Sequence, residues 1–322
     1  MEGMNFNQIG LAVPYAVFSR PYHALNAAMS APLTILADPP PPPTPIGLIA
    51  GAGHLPIVIA QGLRRQGHIV HGLGLNDVQE IELPGLCDTF ESVGLLRLGS
   101  WGRKLRSKGV RHAIMVGRVD KARVMFDPLR AIRNLPDMTT ALAWYRHLRH
   151  DRRSHVLLGV VARELELSGV QLLDSTAPIA DQLATAGVMT NLDLSAEQRG
   201  DVSFAWPLLN ELLRLDVGQA IAVKQREVIA VEGIEGTDRM IERVGPLCRG
   251  RAWIMCKGAR VGHDRRSDVP TVGAKTIENL HAAGGRCLAL AAGDVIMVDK
   301  PAMLALADKL GVCVVGVPAA AV

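Results

Sequence analysis

Apolar runs of strand length alternate with amphipathic stretches in the first half of the chain. Residues 46–50 and 69–75 are apolar, and the segment 57–66 between them repeats its apolar positions at helical spacing. The same alternation predicts helices at 99–108, 126–153 and 157–168 and strands at 112–119 and 170–173. Strands that alternate with helices build parallel sheets. We therefore predict a Rossmann-like α/β domain over residues 46–186.

The pattern changes in the second half. A long helical stretch at 195–215 is followed by two apolar runs, 220–224 and 228–231, on either side of Gln225-Arg226, which predicts a hairpin. Further predicted elements are a strand at 253–256, a second hairpin formed by 287–291 and 295–298, a helix at 301–310 and a strand at 312–317. Hairpins combined with helices indicate a separate α+β domain over residues 187–322.

The first 45 residues differ from the rest of the chain. Pro39 to Pro43 is an unbroken run of prolines, which favours polyproline II and cannot join a helix or a sheet. We predict a disordered, proline-rich extension over residues 1–45. Because Met29 begins the sequence Met-Ser-Ala-Pro, a translation start at Met29 is a further hypothesis.

Composition narrows the class of protein. The chain has 322 residues, 48% hydrophobic and 20% charged, as expected for a globular protein with two cores. The net charge of +4 is small, and no aromatic–basic pattern typical of RNA-binding modules occurs, so no nucleic-acid partner is expected. The five cysteines form no C-x-x-C motif, which favours reduced thiols in the cytoplasm. No apolar run approaches the roughly 20 residues that a membrane span needs.

A glycine-rich turn follows the first predicted strand. The sequence Gly51-Ala-Gly53-His-Leu-Pro56 leads directly into the first helix. Glycines at this position let the backbone approach a diphosphate at the helix N-terminus. The third glycine of a dinucleotide fingerprint is missing, so a tight turn without a ligand is an equally good interpretation.

The charged loop from Gly262 to Gly273 is the strongest candidate for chemistry. It places Asp264 and Asp268 four residues apart, with Arg265 and Arg266 between them. Carboxylates on a loop can converge on a hard divalent cation, and arginines beside them can hold phosphate. A solvated polar loop is the alternative interpretation.

Two more polar clusters follow predicted strands of the second domain. Glu232-Gly-Ile-Glu235-Gly-Thr-Asp238 opens a helix, so Thr237 or Asp238 is expected to cap it, and Lys257-Gly-Ala-Arg260 ends an apolar strand. With the charged loop, they give carboxylates Glu235, Asp264 and Asp268 and cations Lys257, Arg260, Arg265 and Arg266. This combination suits metal-assisted phosphoryl transfer, and it suits phosphate binding without chemistry equally well.

Four blocks of the sequence resemble the LpxI type of UDP-2,3-diacylglucosamine pyrophosphatase, a family of lipid A biosynthesis in Gram-negative bacteria. They are residues 46–56, Leu215-Asp-Val-Gly-Gln-Ala220, residues 230–241 around Glu235-Gly-Thr-Asp238, and Asp264-Arg-Arg-Ser-Asp268-Val-Pro-Thr-Val-Gly273. The resemblance covers about residues 46 to 320 and leaves out the proline-rich extension. The chain departs from the family pattern at His263, where we expect glutamine.

The resemblance implies a Rossmann-like N-terminal domain and a catalytic C-terminal domain peculiar to the family. The implied reaction is Mg²⁺-dependent hydrolysis of the diphosphate of UDP-2,3-diacylglucosamine to UMP and 2,3-diacylglucosamine 1-phosphate. Asp268 is the position to which we carry the essential aspartate. The expected catalytic residues are Asp268, Asp264, Arg266 and Lys257, and the expected metal ligands are Asp268, Asp264 and Glu235. The expected substrate-binding residues are Gly51, Gly53, Glu235, Gly236, Thr237, Asp238, Arg265 and Thr271.

The implied substrate carries acyl chains and belongs to a membrane. We therefore expect a cytoplasmic protein that is peripheral to the anionic inner face of the cytoplasmic membrane, and a homodimer is a possible assembly. Arg146, Arg149, Arg152 and Arg153 form a basic cluster that is either a solvated face or the membrane contact. The competing hypothesis is a non-catalytic protein that binds a nucleotide sugar or a phospholipid.

Overall fold

The structure, a computed structural model, describes residues 39–75, 81–118, 136–145, 154–249, 252–260, 262–266 and 269–318. Four predictions lie wholly or mostly outside these ranges. They concern the extension up to residue 38, the helix at 126–153 except for residues 136–145, the arginine cluster at 146–153, and Asp268 itself. Residues Ala37–Val322 form one compact unit.

The first half contains a five-stranded parallel sheet. Its strands are β1 (Pro45–Ala50), β2 (Ile69–Leu75), β3 (Thr89–Val93), β4 (His112–Val116) and β5 (Gln171–Leu172). Their order is β3-β2-β1-β4-β5, and every paired neighbour is parallel. The α/β prediction is therefore confirmed. The sequence reasoning missed β3, because this edge strand contains polar residues and lacks a continuous apolar run.

Helices cover both faces of this sheet. They are α1 (Leu55–Arg65), α2 (Leu98–Ser107), α3 (Met138–Ala143) and α4 (Ser154–Leu167), with 3₁₀ turns at Leu83–Leu86 and Ala177–Gln182. Ile57 and Leu63 of α1 pack on one face with Ile46 and Leu48. Helices α2 and α4 pack on the other face through Trp101 and other apolar side chains. Burial on both faces explains why the central strands are continuous apolar runs.

The second half contains a six-stranded mixed sheet. Its strands are β6 (Gly187–Val188), β7 (Ala220–Lys224), β8 (Glu227–Val231), β9 (Trp253–Lys257), β11 (Gly285–Ala291) and β13 (Cys313–Val317). The order is β6-β13-β11-β9-β7-β8. Strands β9, β11 and β13 are parallel, and β7 runs antiparallel to both β8 and β9. The carboxyl ends of β8, β9, β11 and β13 consequently lie along one edge.

The first predicted hairpin is confirmed and the second is wrong. Gln225 and Arg226 join β7 to β8 with φ of 52° and 60°, and Asp201 accepts hydrogen bonds from both of their amides. The segment predicted as the second hairpin does not pair with itself, because β11 lies between β9 and β13. The second half of that predicted hairpin, residues 295–298, contains β12 (Ile296–Met297) instead. Strand β12 pairs in parallel with β10 (Thr271–Val272) in a separate sheet.

Helices lie on both faces of the mixed sheet. They are α5 (Ala196–Arg214), α6 (Thr237–Leu247), α7 (Ala274–Ala282) and α8 (Lys300–Leu310). Helix α5 packs on one face through Trp206 and Leu209, and α6 to α8 pack on the other, with Met240, Ile277 and Met303 fully buried. Along the ranges that the structure describes, no helix has the length and apolarity to cross a bilayer.

Candidate functional site

Arg265 ties the charged loop to segments from both halves of the chain. Its Nε donates to Asp174 Oδ2 at 3.0 Å, and one terminal nitrogen donates to Thr176 Oγ1 at 2.8 Å. The other terminal nitrogen donates to Asp294 Oδ1 at 2.9 Å and to the carbonyl of Gly293 at 3.2 Å. All three guanidinium nitrogens are therefore engaged within the chain. The predicted substrate-binding residue Arg265 has the contacts of a structural tie.

The backbone around Arg265 is fixed as well. The amide and the hydroxyl of Ser175 both donate to the Arg265 carbonyl, at 2.9 Å and 2.8 Å. Asp174 is itself held by the Thr176 amide and hydroxyl, each at 2.7 Å from Oδ1. The loop is thus anchored through both its main chain and its side chain.

These contacts join the carboxyl edges of the two sheets. Asp174 and Thr176 follow β5 of the first sheet, whereas Gly293 and Asp294 follow β11 of the second. Ligands of open α/β sheets bind outside the carboxyl ends of the strands. The charged loop therefore lies where the carboxyl edges of the two sheets meet, which is the usual place for a ligand in this kind of fold.

Asp264 and Arg266 form an ion pair on the same loop. Arg266 Nε donates to Asp264 Oδ1 at 2.8 Å and a terminal nitrogen donates to Oδ2 at 2.6 Å, while the Arg266 amide donates to Oδ1 at 3.1 Å. Burial favours the neutral carboxyl, but the hydrogen bonds from Arg266 outweigh it and hold the pKa of Asp264 below its usual range. The Glu166 carboxylate also acts on Arg266, so α4 of the first half faces this pair.

A second cluster of buried polar groups lies at the carboxyl ends of β8 and β9. Lys257, the last residue of β9, is 5% exposed and donates to Thr237 Oγ1 at 2.7 Å. The Thr237 hydroxyl donates in turn to Glu232 Oε1 at 2.9 Å, and Glu232 is 8% exposed. Burial lowers the pKa of the Lys257 ammonium, and the charges of Glu232 and Asp238 oppose that effect. Sequence reasoning assigned no role to Glu232.

Helix α6 begins at this cluster. Its N-cap is Gly236, with φ of 83° and no side-chain cap, so the prediction that Thr237 or Asp238 caps the helix is wrong. Thr237 is instead the first helical residue, and Asp238 Oδ1 accepts from Asn279 Nδ2 at 3.0 Å. A helix N-terminus beside a lysine favours an anion, since the first amides lack intrahelical acceptors.

Glu235, a predicted metal ligand, forms its ion pair with a different arginine from the one that pairs with Asp264. Its Oε1 accepts from Arg243 at 2.7 Å, and its side chain is 32% exposed. Within the described ranges, no group of three or more His, Cys, Asp or Glu side chains is arranged to hold a metal ion. Asp264 supplies carboxylate oxygens of the kind that magnesium prefers, and both of these oxygens accept hydrogen bonds from Arg266. The donor chemistry of Asp264 therefore fits magnesium, with Asp268 outside the described residues.

The glycine-rich turn has a structural reason for its glycines. Ala52 forms an antiparallel bridge with Arg118, with N–O distances of 2.9 Å and 2.8 Å. A Cβ atom on Gly51 would lie 2.7 Å from the Arg118 carbonyl oxygen, and Gly53 has a φ of 99°. The alternative interpretation, a tight turn without a ligand, accounts for both residues.

The side chains of two more residues of the sequence analysis form only local hydrogen bonds within the described part of the chain. The Thr271 hydroxyl, predicted to bind substrate, donates to the Val269 carbonyl at 3.1 Å. His263 Nδ1 lies 3.1 Å from the Arg260 carbonyl, and its Nε2 is buried and has no hydrogen-bond partner in the part of the chain that the structure describes. Neither contact points to a ligand.

Comparison with known proteins identifies the family. Residues 45–182 match the model of the LpxI N-terminal domain, and residues 185–315 match that of the LpxI C-terminal domain. The UDP-2,3-diacylglucosamine pyrophosphatase LpxI of Caulobacter vibrioides is 30% identical over 285 residues, covering 84% of this chain and 97% of that protein. The chain belongs to the LpxI family.

The family resemblance drawn from the sequence is confirmed, and so is the expected combination of a Rossmann-like first half with a distinct second half of strands and helices. The boundary at residue 186 and the roles of individual site residues stay predictions. The site gains Glu232, Asp174, Thr176 and Asp294, which the sequence analysis did not select. Their position within three residues of the ends of predicted strands was the available signal.

Replacing Arg265 by methionine tests the tie between the two halves. The change leaves Asp174, Asp294 and Thr176 without their shared donor, so we expect a loss of about 1–3 kcal/mol in the free energy of unfolding, measured by urea denaturation. Arg199→Met is the matched control, because the Arg199–Asp193 pair is exposed and its loss should cost less than about 1 kcal/mol. Equal effects of the two substitutions would contradict this role for Arg265.

Proposed function

We propose that this protein hydrolyses the diphosphate of UDP-2,3-diacylglucosamine to UMP and 2,3-diacylglucosamine 1-phosphate, a step of lipid A biosynthesis. The observation that carries the proposal is the match to the C. vibrioides pyrophosphatase, which extends over 97% of that protein. The matched C-terminal domain, residues 185–315, contains both the charged loop and the Lys257 cluster.

The chemistry of the site supports this reaction. Water adds across the P–O–P linkage, and one phosphate leaves with uridine while the other stays on the acylated sugar. Negative charge grows on the phosphate oxygens, and Lys257, Arg266 and the N-terminus of α6 are positive groups suited to offset it. Asp264 accepts three hydrogen bonds from the Arg266 guanidinium, so the arginine is oriented before a substrate binds.

Magnesium dependence belongs to the same proposal. Asp264 and Asp268 are the residues that would hold the ion, in agreement with the oxygen ligands that magnesium prefers. When bound, magnesium would neutralise charge on the diphosphate.

The competing function is binding of a nucleotide sugar or phospholipid without hydrolysis. A binding protein needs the cations but has no need for two aspartates on one loop. Release of UMP from UDP-2,3-diacylglucosamine separates the two functions. We expect steady UMP release in the presence of Mg²⁺ and its loss when EDTA is added. Stoichiometric binding of the substrate without UMP release would favour the competing function.

Asp268 is the residue whose loss should be most damaging to turnover. We expect Asp268→Ala to reduce kcat by at least about 10²-fold, because the residue is assigned to the reacting centre. Thermal unfolding should change little, and substrate binding should persist in equilibrium dialysis. Ser267→Ala is the control, since it alters the same loop without removing a carboxylate. Near-normal hydrolysis by the Asp268 variant would refute its assignment.

We also propose that the protein acts at the inner face of the cytoplasmic membrane, where its acylated substrate resides. Met138 and Leu142 of α3 are exposed, and the arginine cluster 146–153 follows them in the sequence. Exposed apolar side chains next to basic residues are typical of a contact with an anionic membrane surface.

Vesicle sedimentation tests this membrane contact. We expect binding to vesicles that contain phosphatidylglycerol, and weaker binding as salt is raised, because salt screens the attraction. The double change Arg152→Glu and Arg153→Glu should reduce binding, whereas Arg214→Glu on the exposed surface of α5 should not. Salt-independent binding, or equal losses in both variants, would count against this contact.

A further inference from the structure

Lys257 and Glu232 are two buried charged groups that do not touch each other. Within the described ranges these two residues form no ion pair with each other, and the Thr237 hydroxyl connects them. An ammonium has three N–H donors, and among the described residues one donor of Lys257 has an acceptor. Glu232 Oε2 is buried without a hydrogen-bond partner in the same part of the chain. The cluster therefore has hydrogen-bonding capacity that its own contacts do not use.

The backbone holds Glu232 firmly at this position. Its amide donates to the Ala220 carbonyl of β7 at 2.9 Å. A Cβ atom on Gly218 would lie only 1.9 Å from the Glu232 carbonyl oxygen, so glycine is needed where the two chains pass. On the neighbouring strand the amide of Gly258, next to Lys257, donates to Gln219 at 3.0 Å. Both charged residues are thus anchored to the same end of β7.

Buried charges without full pairing are costly. Titratable groups that are perturbed by burial and by a specific charged neighbour cluster at functional sites. In a direct Lys257–Glu232 ion pair the carboxylate would neutralise the ammonium at close range, which would leave it less attractive to another anion. A hydroxyl between them accepts from the lysine and donates to the carboxylate, so it fixes the lysine while leaving two of its donors for another partner. The first amides of α6 lie at the same place, since Thr237 is the first residue of that helix.

We propose that Glu232 is a positioning residue that acts through the Thr237 hydroxyl to hold the Lys257 ammonium toward a phosphate group bound at the N-terminus of α6. The inference rests on the proposed function, because the phosphate is that of the substrate diphosphate. Thr237 is the link, and Asp238 is the other charged group that acts on Lys257 from the same helix.

The alternative is a polar network that only stabilises the fold. Both explanations predict lower stability when the network is broken, so stability alone does not separate them. The positioning role makes a further demand. Turnover must depend on the Thr237 hydroxyl and on the Glu232 charge in folded protein.

Thr237 variants test the link. We expect Thr237→Val, which removes the hydroxyl but keeps the shape, to lower kcat for UMP release by about 10–100-fold, the range seen for groups that orient another functional residue. Thr237→Ser keeps the hydroxyl and should restore most of the activity. Circular dichroism confirms that each variant is folded. If Thr237→Val is folded and as active as Thr237→Ser, the inference is overturned.

The charge of Glu232 is tested by the pH dependence of kcat/KM. Glu232 favours the charged form of Lys257, so Glu232→Gln should lower the pKa of that ammonium further. The alkaline limb of the profile should then move to lower pH. Glu242→Gln on α6 is the control, because Glu242 is exposed and pairs with Arg239. An alkaline limb at the same pH in both variants would overturn the inference.

A measurement that needs no activity separates this inference from the proposed function. Burial lowers the folded-state pKa of Lys257, so the unfolded state binds more protons and stability rises with pH up to the unfolded pKa. Glu232→Gln lowers the folded-state pKa further and so widens the pH range between the folded-state and unfolded-state pKa of Lys257. The variant should therefore lose more unfolding free energy, relative to the wild type, at about pH 8 than at about pH 11. A deficit that does not change with pH, as expected for Glu242→Gln, shows that Glu232 and Lys257 are not coupled. Lack of hydrolysis by the wild type would refute the proposed function alone.

Discussion

The tie made by Arg265 is the interaction on which the candidate site depends. Its side chain connects the segment after β5 to the segment after β11, and these segments belong to different sheets. The neighbouring residues Asp264 and Arg266 pair with each other on the same loop. Because Asp264 and Arg266 are bonded directly to Arg265 in the sequence, the contacts of Arg265 also fix their positions relative to both sheets. An arginine serves here because its planar group reaches several acceptors in fixed directions.

The two polar clusters solve different electrostatic problems. Asp264 and Arg266 are partly exposed and satisfy each other directly, so the pair is stable without a ligand. Lys257 and Glu232 are buried, and a hydroxyl separates them. Direct pairing suits a residue that must keep its orientation, whereas separation leaves donors for a ligand. Both arrangements lie at carboxyl edges of the sheets, where strand ends can deliver side chains from distant parts of the sequence to one place.

The elements that could be predicted from the sequence are mainly those that are buried. Strands buried on both faces are continuous apolar runs, which made most of both sheets readable, whereas the polar edge strand β3 was not. The prediction of the second hairpin was wrong because a short turn after an apolar strand is typical of a hairpin. In the structure β11 pairs instead with β9 and β13, one on each side. Site contacts were the least predictable part. Arg265 and Asp174 are 91 residues apart, and no local pattern connects them.

The glycine-rich turn shows why a motif needs its structural reason. Gly51 is required by the approach of the Arg118 backbone, so its presence is explained before any nucleotide is considered. The N-terminus of α6 differs, because Gly236 caps the helix without a side-chain acceptor and a buried lysine lies beside the free amides. Backbone contact and backbone conformation explain both glycines of the turn. They leave the buried charges at the start of α6 unexplained. The physical case for an anion is therefore stronger at the start of α6 than at the turn after β1.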